Sequence, residues 1–123
     1  MKLDKNSITV GFISSIHPHS GMHIKTLDVM DSIDEVRLYC FEGQDPLELS
    51  KISPKIKIIY KDLADLINDK KIDVIILSAR NDLCPEILEL AATAKKHVLF
   101  DKPGALSSKD LYKARDIANK NNV

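Results

Sequence analysis

Asp101-Lys102-Pro103 is the stretch with the clearest chemical content. It follows His97-Val98-Leu99-Phe100, whose β-branched and aromatic residues favour a strand; Pro103 stops that strand because proline cannot donate to a ladder. In a parallel sheet the carboxyl ends of the strands open onto the ligand crevice, so Asp101 and Lys102 are expected at its rim. The plain alternative is a solvated pair in a strand-to-helix loop. The bond before Pro103 is a candidate for the cis form. A second group, His17, His19 and His23, has the pattern His-x-His-x-x-x-His. Imidazole is the commonest metal ligand. Neither a cysteine nor an obvious carboxylate completes the set in sequence, so no metal is expected, and contact with phosphate or solvent is favoured. Cys40 and Cys84 have no metal or redox spacing and read as free thiols in a reducing cytoplasm. Cys84 reads as a small packed residue rather than a reactive one.

The elements that must position these residues alternate in type. Strands are expected at Ile8–Ile13, Val36–Phe41, Ile56–Tyr60, Val74–Leu77 and His97–Phe100. Val74–Leu77 is apolar at every position, as in a strand covered on both faces. Lys57 suits an edge. Helices are expected from Met22 to about Asp31, Asp45-Pro46 to Lys51, Asp62 to Asp69, Pro85 to Lys95, and Ser108 to Asn119. Asp45 reads as an N-cap with proline in the first helical position, and Ser107–Asp110 has capping-box spacing. Strands alternating with helices imply parallel βαβ units with right-handed crossovers. The expected fold is a doubly wound α/β sheet in order 3-2-1-4-5, one domain over residues 1–123.

The chain has 123 residues, 44% hydrophobic and 29% charged, with zero formal net charge. That balance suits a globular domain with a real core and offers no basic field for nucleic acid or an anionic membrane surface. No apolar run reaches membrane-spanning length, and Met1–Asn6 lacks a signal-peptide core. A cytoplasmic location is therefore expected.

Two segments carry a family likeness. Asp73-Val74-Ile75-Ile76-Leu77-Ser78-Ala79-Arg80-Asn81-Asp82-Leu83 resembles the fourth-strand signature of the glucose–fructose oxidoreductase, inositol dehydrogenase and MocA family, an Asp, an apolar strand and Ala-Thr-Pro-Asn. One helix later, Ala94-Lys95-Lys96-His97-Val98-Leu99-Phe100-Asp101-Lys102-Pro103 resembles its lysine-glycine-lysine-histidine-like turn, apolar strand and Glu-Lys-Pro. The order and separation match, and the likeness extends over the family's cofactor domain. It implies a nicotinamide cofactor. It gives Lys102 the role of the lysine beside the nicotinamide ribose and the reacting carbon. A fixed ammonium there can hydrogen-bond a substrate oxygen or the ribose and organise proton transfer. The likeness also implies that Asn81, Asp101 and Pro103 lie near the cofactor. Asp101 is one methylene shorter than the family's glutamate.

The first βα turn departs from the family. A dinucleotide fold places Gly-x-Gly-x-x-Gly there, so that the backbone approaches the pyrophosphate at a helix N-terminus. Here Ser14 and Ile16 stand near the first two glycine positions and Gly21 comes late. Gly11, Ser14, Ser15, His17 and Gly21 are the expected contacts of this turn, with pyrophosphate over Ser14–Gly21 and weakened affinity. Glu42 is the acidic residue nearest the end of the second strand. It favours NAD over NADP, because it would repel a 2′-phosphate.

Two functions remain open. One is the cofactor domain of an oxidoreductase moving hydride between NAD(P) and a sugar, polyol or related alcohol. The other is a non-catalytic Rossmann module that binds a nucleotide or mediates association. The expectation includes the lack of a sixth strand and of a C-terminal substrate domain. It follows that residues 1–123 alone do not turn over substrate, and that the bare edge of His97–Phe100 promotes a homo-oligomer.

Overall fold

The computed structural model describes residues 7–123; Met1–Asn6, read above as lacking a leader core, lies outside them. Five strands, β1 (Ile8–Ser14), β2 (Ile33–Cys40), β3 (Ile56–Ile59), β4 (Val74–Ser78) and β5 (His97–Phe100), form one sheet in order β3-β2-β1-β4-β5. Every pairing is parallel. Five helices alternate with them: α1 (Ser20–Val29), α2 (Pro46–Ser50), α3 (Leu63–Ile67), α4 (Cys84–Thr93) and α5 (Ser108–Lys120).

The two-residue period of the strands divides the core into two layers. Val10 and Phe12 of β1, Val36 and Leu38 of β2 and Ile76 of β4 pack against Ile24 and Leu27 of α1 and Leu49 of α2. Ile13 of β1 with Ile75 and Leu77 of β4 face Leu66, Ile87, Ala91 and Ala114 on α3, α4 and α5. This is why Val74–Leu77 of β4 is apolar at every position. Gly11 belongs to the second layer. A Cβ there would stand 3.0 Å from both Leu66 Cδ2 and Ile72 Cδ1, so its lack of a side chain lets α3 approach β1. Gly11 therefore serves packing within the strand and lies away from the expected cofactor turn.

The caps follow the sequence. Asp45 accepts from the Leu47 amide at 2.9 Å, and the Ser107 hydroxyl donates to the Asp110 carboxylate at 3.0 Å. The edge strands also behave as expected. Lys57 of β3 is exposed, and on β5 Leu99 and Phe100 are 57% and 38% exposed. Boundaries shift at α1, which begins at Ser20 rather than Met22. The Ser20 amide donates to the His17 carbonyl at 3.2 Å, and its buried hydroxyl bonds Ser14 Oγ at 2.8 Å. These bonds draw the helix start back toward the strand. Strand β2 also begins three residues early, because Ile33 is buried and registers with Ile8. No helix among the described residues is long and apolar enough to cross a membrane.

Candidate functional site

The carboxyl ends of β1, β4 and β5 bring the chemically active residues together. The order of strands reverses between β1 and β4, which is where doubly wound sheets open a crevice. The Asp101 amide donates to Leu77 O at 3.1 Å, holding the residue in register just past β5. Its carboxylate then reaches across the end of β4 toward the β1–α1 loop. Ser78 Oγ donates to Oδ2 at 2.7 Å. His23 Nε2, on the first turns of α1, lies 3.0 Å from Oδ1 and 3.2 Å from Oδ2. His19 Nδ1 is 3.4 Å from Oδ1, and His17 Nδ1 is 3.6 Å from Oδ2. Burial opposes the charge on Asp101, but the hydrogen bonds from Ser78, His23 and His19 outweigh it, and the carboxyl is held below its ordinary range.

This arrangement corrects the reading of the histidines. The missing carboxylate is supplied by Asp101, 78 positions beyond His23 and invisible to local spacing. The signal available in sequence was the parallel order itself, which brings the first and last strand ends to one side of the sheet.

The serines of the turn are corrected as well. Ser14 is fully buried as the last residue of β1, and its hydroxyl is spent on Ser20 and the Ser15 carbonyl. Ser15 is 3% exposed; its amide donates to Ser78 O and its Oγ accepts from the Arg80 amide. Both hydroxyls are engaged within the chain. They tie the ends of β1, β4 and α1 together. Gly21 falls inside α1, where a Cβ would make only an ordinary 3.5 Å contact with Ile52, so clearance is not its purpose.

What the site retains for an anion is the start of α1. His19 occupies the N-cap position without a side-chain hydrogen bond to the first turn. The amino end of a ten-residue helix stands there with its dipole, and its Ser20 amide is already given to the His17 carbonyl. A helix end of this kind suits an anion, while the serine hydroxyls of the preceding loop are already bonded within the chain. Gly43, in the turn after β2, has φ +95, and a Cβ would stand 3.2 Å from Ile16 Cδ1. Both backbone and space require glycine there. Glu42 precedes it on the exposed turn, two residues beyond the end of β2.

Lys102 and Pro103 are exposed at the rim, joined by a cis peptide bond, and Asn81 lies half-buried after β4. Cys84 is 1% exposed at the start of α4, and its thiol is pushed up to about 11 by burial, with Asp101 and Asp82 adding to it. A packed, unreactive role follows.

A parallel doubly wound sheet with its crevice at this switch point defines the dinucleotide-binding class of fold. Within that class, the oxidoreductase family with an NAD-binding Rossmann fold, GFO_IDH_MocA, matches residues 16–123, and the chain belongs to it. It is 30% identical over 123 residues to inositol 2-dehydrogenase of Salmonella typhimurium, covering 98% of this chain and 34% of that protein. A probable dehydrogenase from Thermotoga maritima superposes with a TM-score of 0.84 at 23% identity, over 94% of this chain and 34% of that one. GenD2 from gentamicin A biosynthesis, solved with NAD, superposes at 0.83 and 15% identity, over 95% of this chain and 33% of that one. The chain spans about a third of the length of these relatives.

Proposed function

We propose that this chain provides the nicotinamide-cofactor half of an oxidoreductase acting on a polyol or related alcohol. The observation that carries the reading is the placement of Asp101-Lys102-Pro103 beside the switch-point crevice of a family member. The inositol dehydrogenases among its relatives support the substrate class, and the NAD complex of GenD2 supports the cofactor. A bound nicotinamide would accept or return the hydride. Lys102 would hold the substrate oxygen or the ribose and steer the proton, since its ammonium is exposed at the rim. The amino end of α1 would take the pyrophosphate. Asn81 would line the same crevice, and Glu42 would favour the free ribose diol of NAD over a 2′-phosphate. Substrate contacts and the exclusion of water belong to surfaces other than these.

Titration of the chain with NADH and NADPH, followed by nicotinamide fluorescence, tests the reading. Saturable binding weaker than micromolar, with NADH preferred, is expected. Submicromolar binding would contradict the crowding of the turn by Ser14, Ser15 and Ile16. A complete lack of binding would favour the non-catalytic association module.

A further inference from the structure

The histidine cluster does more than the dinucleotide reading requires. His17, His19 and Asp101 each present one ligand atom, and the three atoms lie within 4.8 Å of one another. Ligands about 2.0–2.1 Å from a tetrahedral zinc ion lie about 3.3–3.4 Å apart. The Asp101 oxygens already stand 3.4 Å from His19 Nδ1 and 3.6 Å from His17 Nδ1. Small ring rotations would close the set.

Hydrogen positions define what an ion must displace. The His19 amide donates to His17 Nδ1 at 3.1 Å, so that nitrogen carries a lone pair and the ring proton sits on Nε2. That single lone pair is engaged by the amide, so an ion at His17 Nδ1 must displace this hydrogen bond; Asp101 Oδ2 stands 3.6 Å away. The carboxylate is meanwhile held by Ser78 on Oδ2 and by His23 on both oxygens, the arrangement by which outer partners orient a metal ligand.

We propose that His17, His19 and Asp101 bind a divalent first-row transition-metal ion, with zinc as the reference, while Ser78 and His23 position the carboxylate. Two imidazoles and one carboxylate form a borderline ligand set suited to Zn²⁺, Co²⁺ or Fe²⁺ and poorly suited to Ca²⁺ or Mg²⁺. Three protein ligands leave a coordination position for water or an exogenous anion. His19 is 47% exposed on its side chain, which opens a path for entry. The site stands whether or not the dinucleotide reading does, because its readout needs no nicotinamide.

Metal-free chain is titrated with ZnCl₂ by calorimetry and with CoCl₂ by visible absorption. The expected result is one ion per chain, an intense tetrahedral cobalt spectrum without a thiolate charge-transfer band, and a raised Tm. The His17→Ala/His19→Ala double variant should lose the Tm rise and weaken binding by more than about tenfold, and Ser78→Ala should weaken it by about tenfold. His97→Ala, at the start of β5, should bind as the parent does. Circular dichroism of each variant separates lost binding from lost folding, and His19→Gln supplies a milder variant at an exposed position. Unsaturable uptake, binding unchanged in a folded double variant, or a thiolate band assigning the ion to Cys40 would each overturn the proposal.

Discussion

Two of the carboxylates held below their ordinary titration range, Asp69 and Asp101, are held by opposite means. Asp69, after α3, contacts Arg37 of β2 and the Tyr60 hydroxyl. Arg37 is 7% exposed and also donates to Glu35 at 2.9 Å. Burial works against both charges. For Asp69 it is outweighed by the Tyr60, Lys71 and Arg37 hydrogen bonds; for Arg37 it is outweighed by the bonds to Glu35, Asp69 and Tyr60. Beside them, Lys96 donates to the carbonyls of Asp69 and Ile72 at 2.6 and 2.9 Å. Each donor in this knot has its acceptor, and no polar side-chain atom buried among the described residues is left unpartnered. Asp101 is instead surrounded by imidazoles, which carry charge only when protonated and otherwise offer lone pairs. A permanent cation closes a structural knot. Imidazoles are also metal ligands in their own right, and that is what a ligand site needs.

The comparison can be broken most forcefully at the knot. Asp69→Ala leaves a buried guanidinium short of one of its two carboxylate partners, and a loss of about 3 kcal/mol in urea unfolding is expected. Asp101→Ala removes hydrogen bonds without stranding a fixed charge, so about 1–2 kcal/mol is expected from the same measurement. Equal losses would erase the distinction.

Acid sharpens it further. Both carboxyls titrate lower in the folded chain than in the unfolded one. The unfolded chain therefore binds more protons as pH falls. The stabilisation is complete above the ordinary carboxylate value of about 3.9, and is lost as pH drops through the depressed folded values. Urea midpoints should fall from about pH 5 downward, and either Asp69→Asn or Asp101→Asn should flatten that slope. The smallest effect is a gain next to the knot. Lys95 follows α4 with φ 59, a left-handed position that costs a side-chain-bearing residue about 1 kcal/mol. Lys95→Gly should raise stability by up to that amount in thermal unfolding.

The sheet was legible in the sequence because its signals are local. The apolar run Val74–Leu77, the Asp45 cap and Lys57 on an edge each report their surroundings within a few residues. The family likeness rested on the same kind of contiguous text, around Asn81 and Asp101. The cluster itself was harder to see, since His17 and Asp101 meet only through the β1-β4-β5 order. The serines misled for a related reason. A hydroxyl in a turn reads as a ligand for phosphate until its neighbours are known, and Ser14 has a buried partner in Ser20. The packing role of Gly11 was hidden because only tertiary structure shows Leu66 and Ile72 pressing on it.

The two halves of the Asp101 cluster hang from strands of unequal standing. The loop carrying His17 and His19 springs from β1, which is paired on both sides, to β2 and to β4. Asp101 springs from β5, which among the described residues pairs only with β4. Amide-hydrogen exchange should therefore be slowest along Val10–Ile13 and faster along Val98–Phe100. Local opening would carry the carboxylate away from the imidazoles before the imidazoles lose their own anchor. A bound cation would link the two strands across that gap, and its signature would be slowed exchange in β5 with little change in β1.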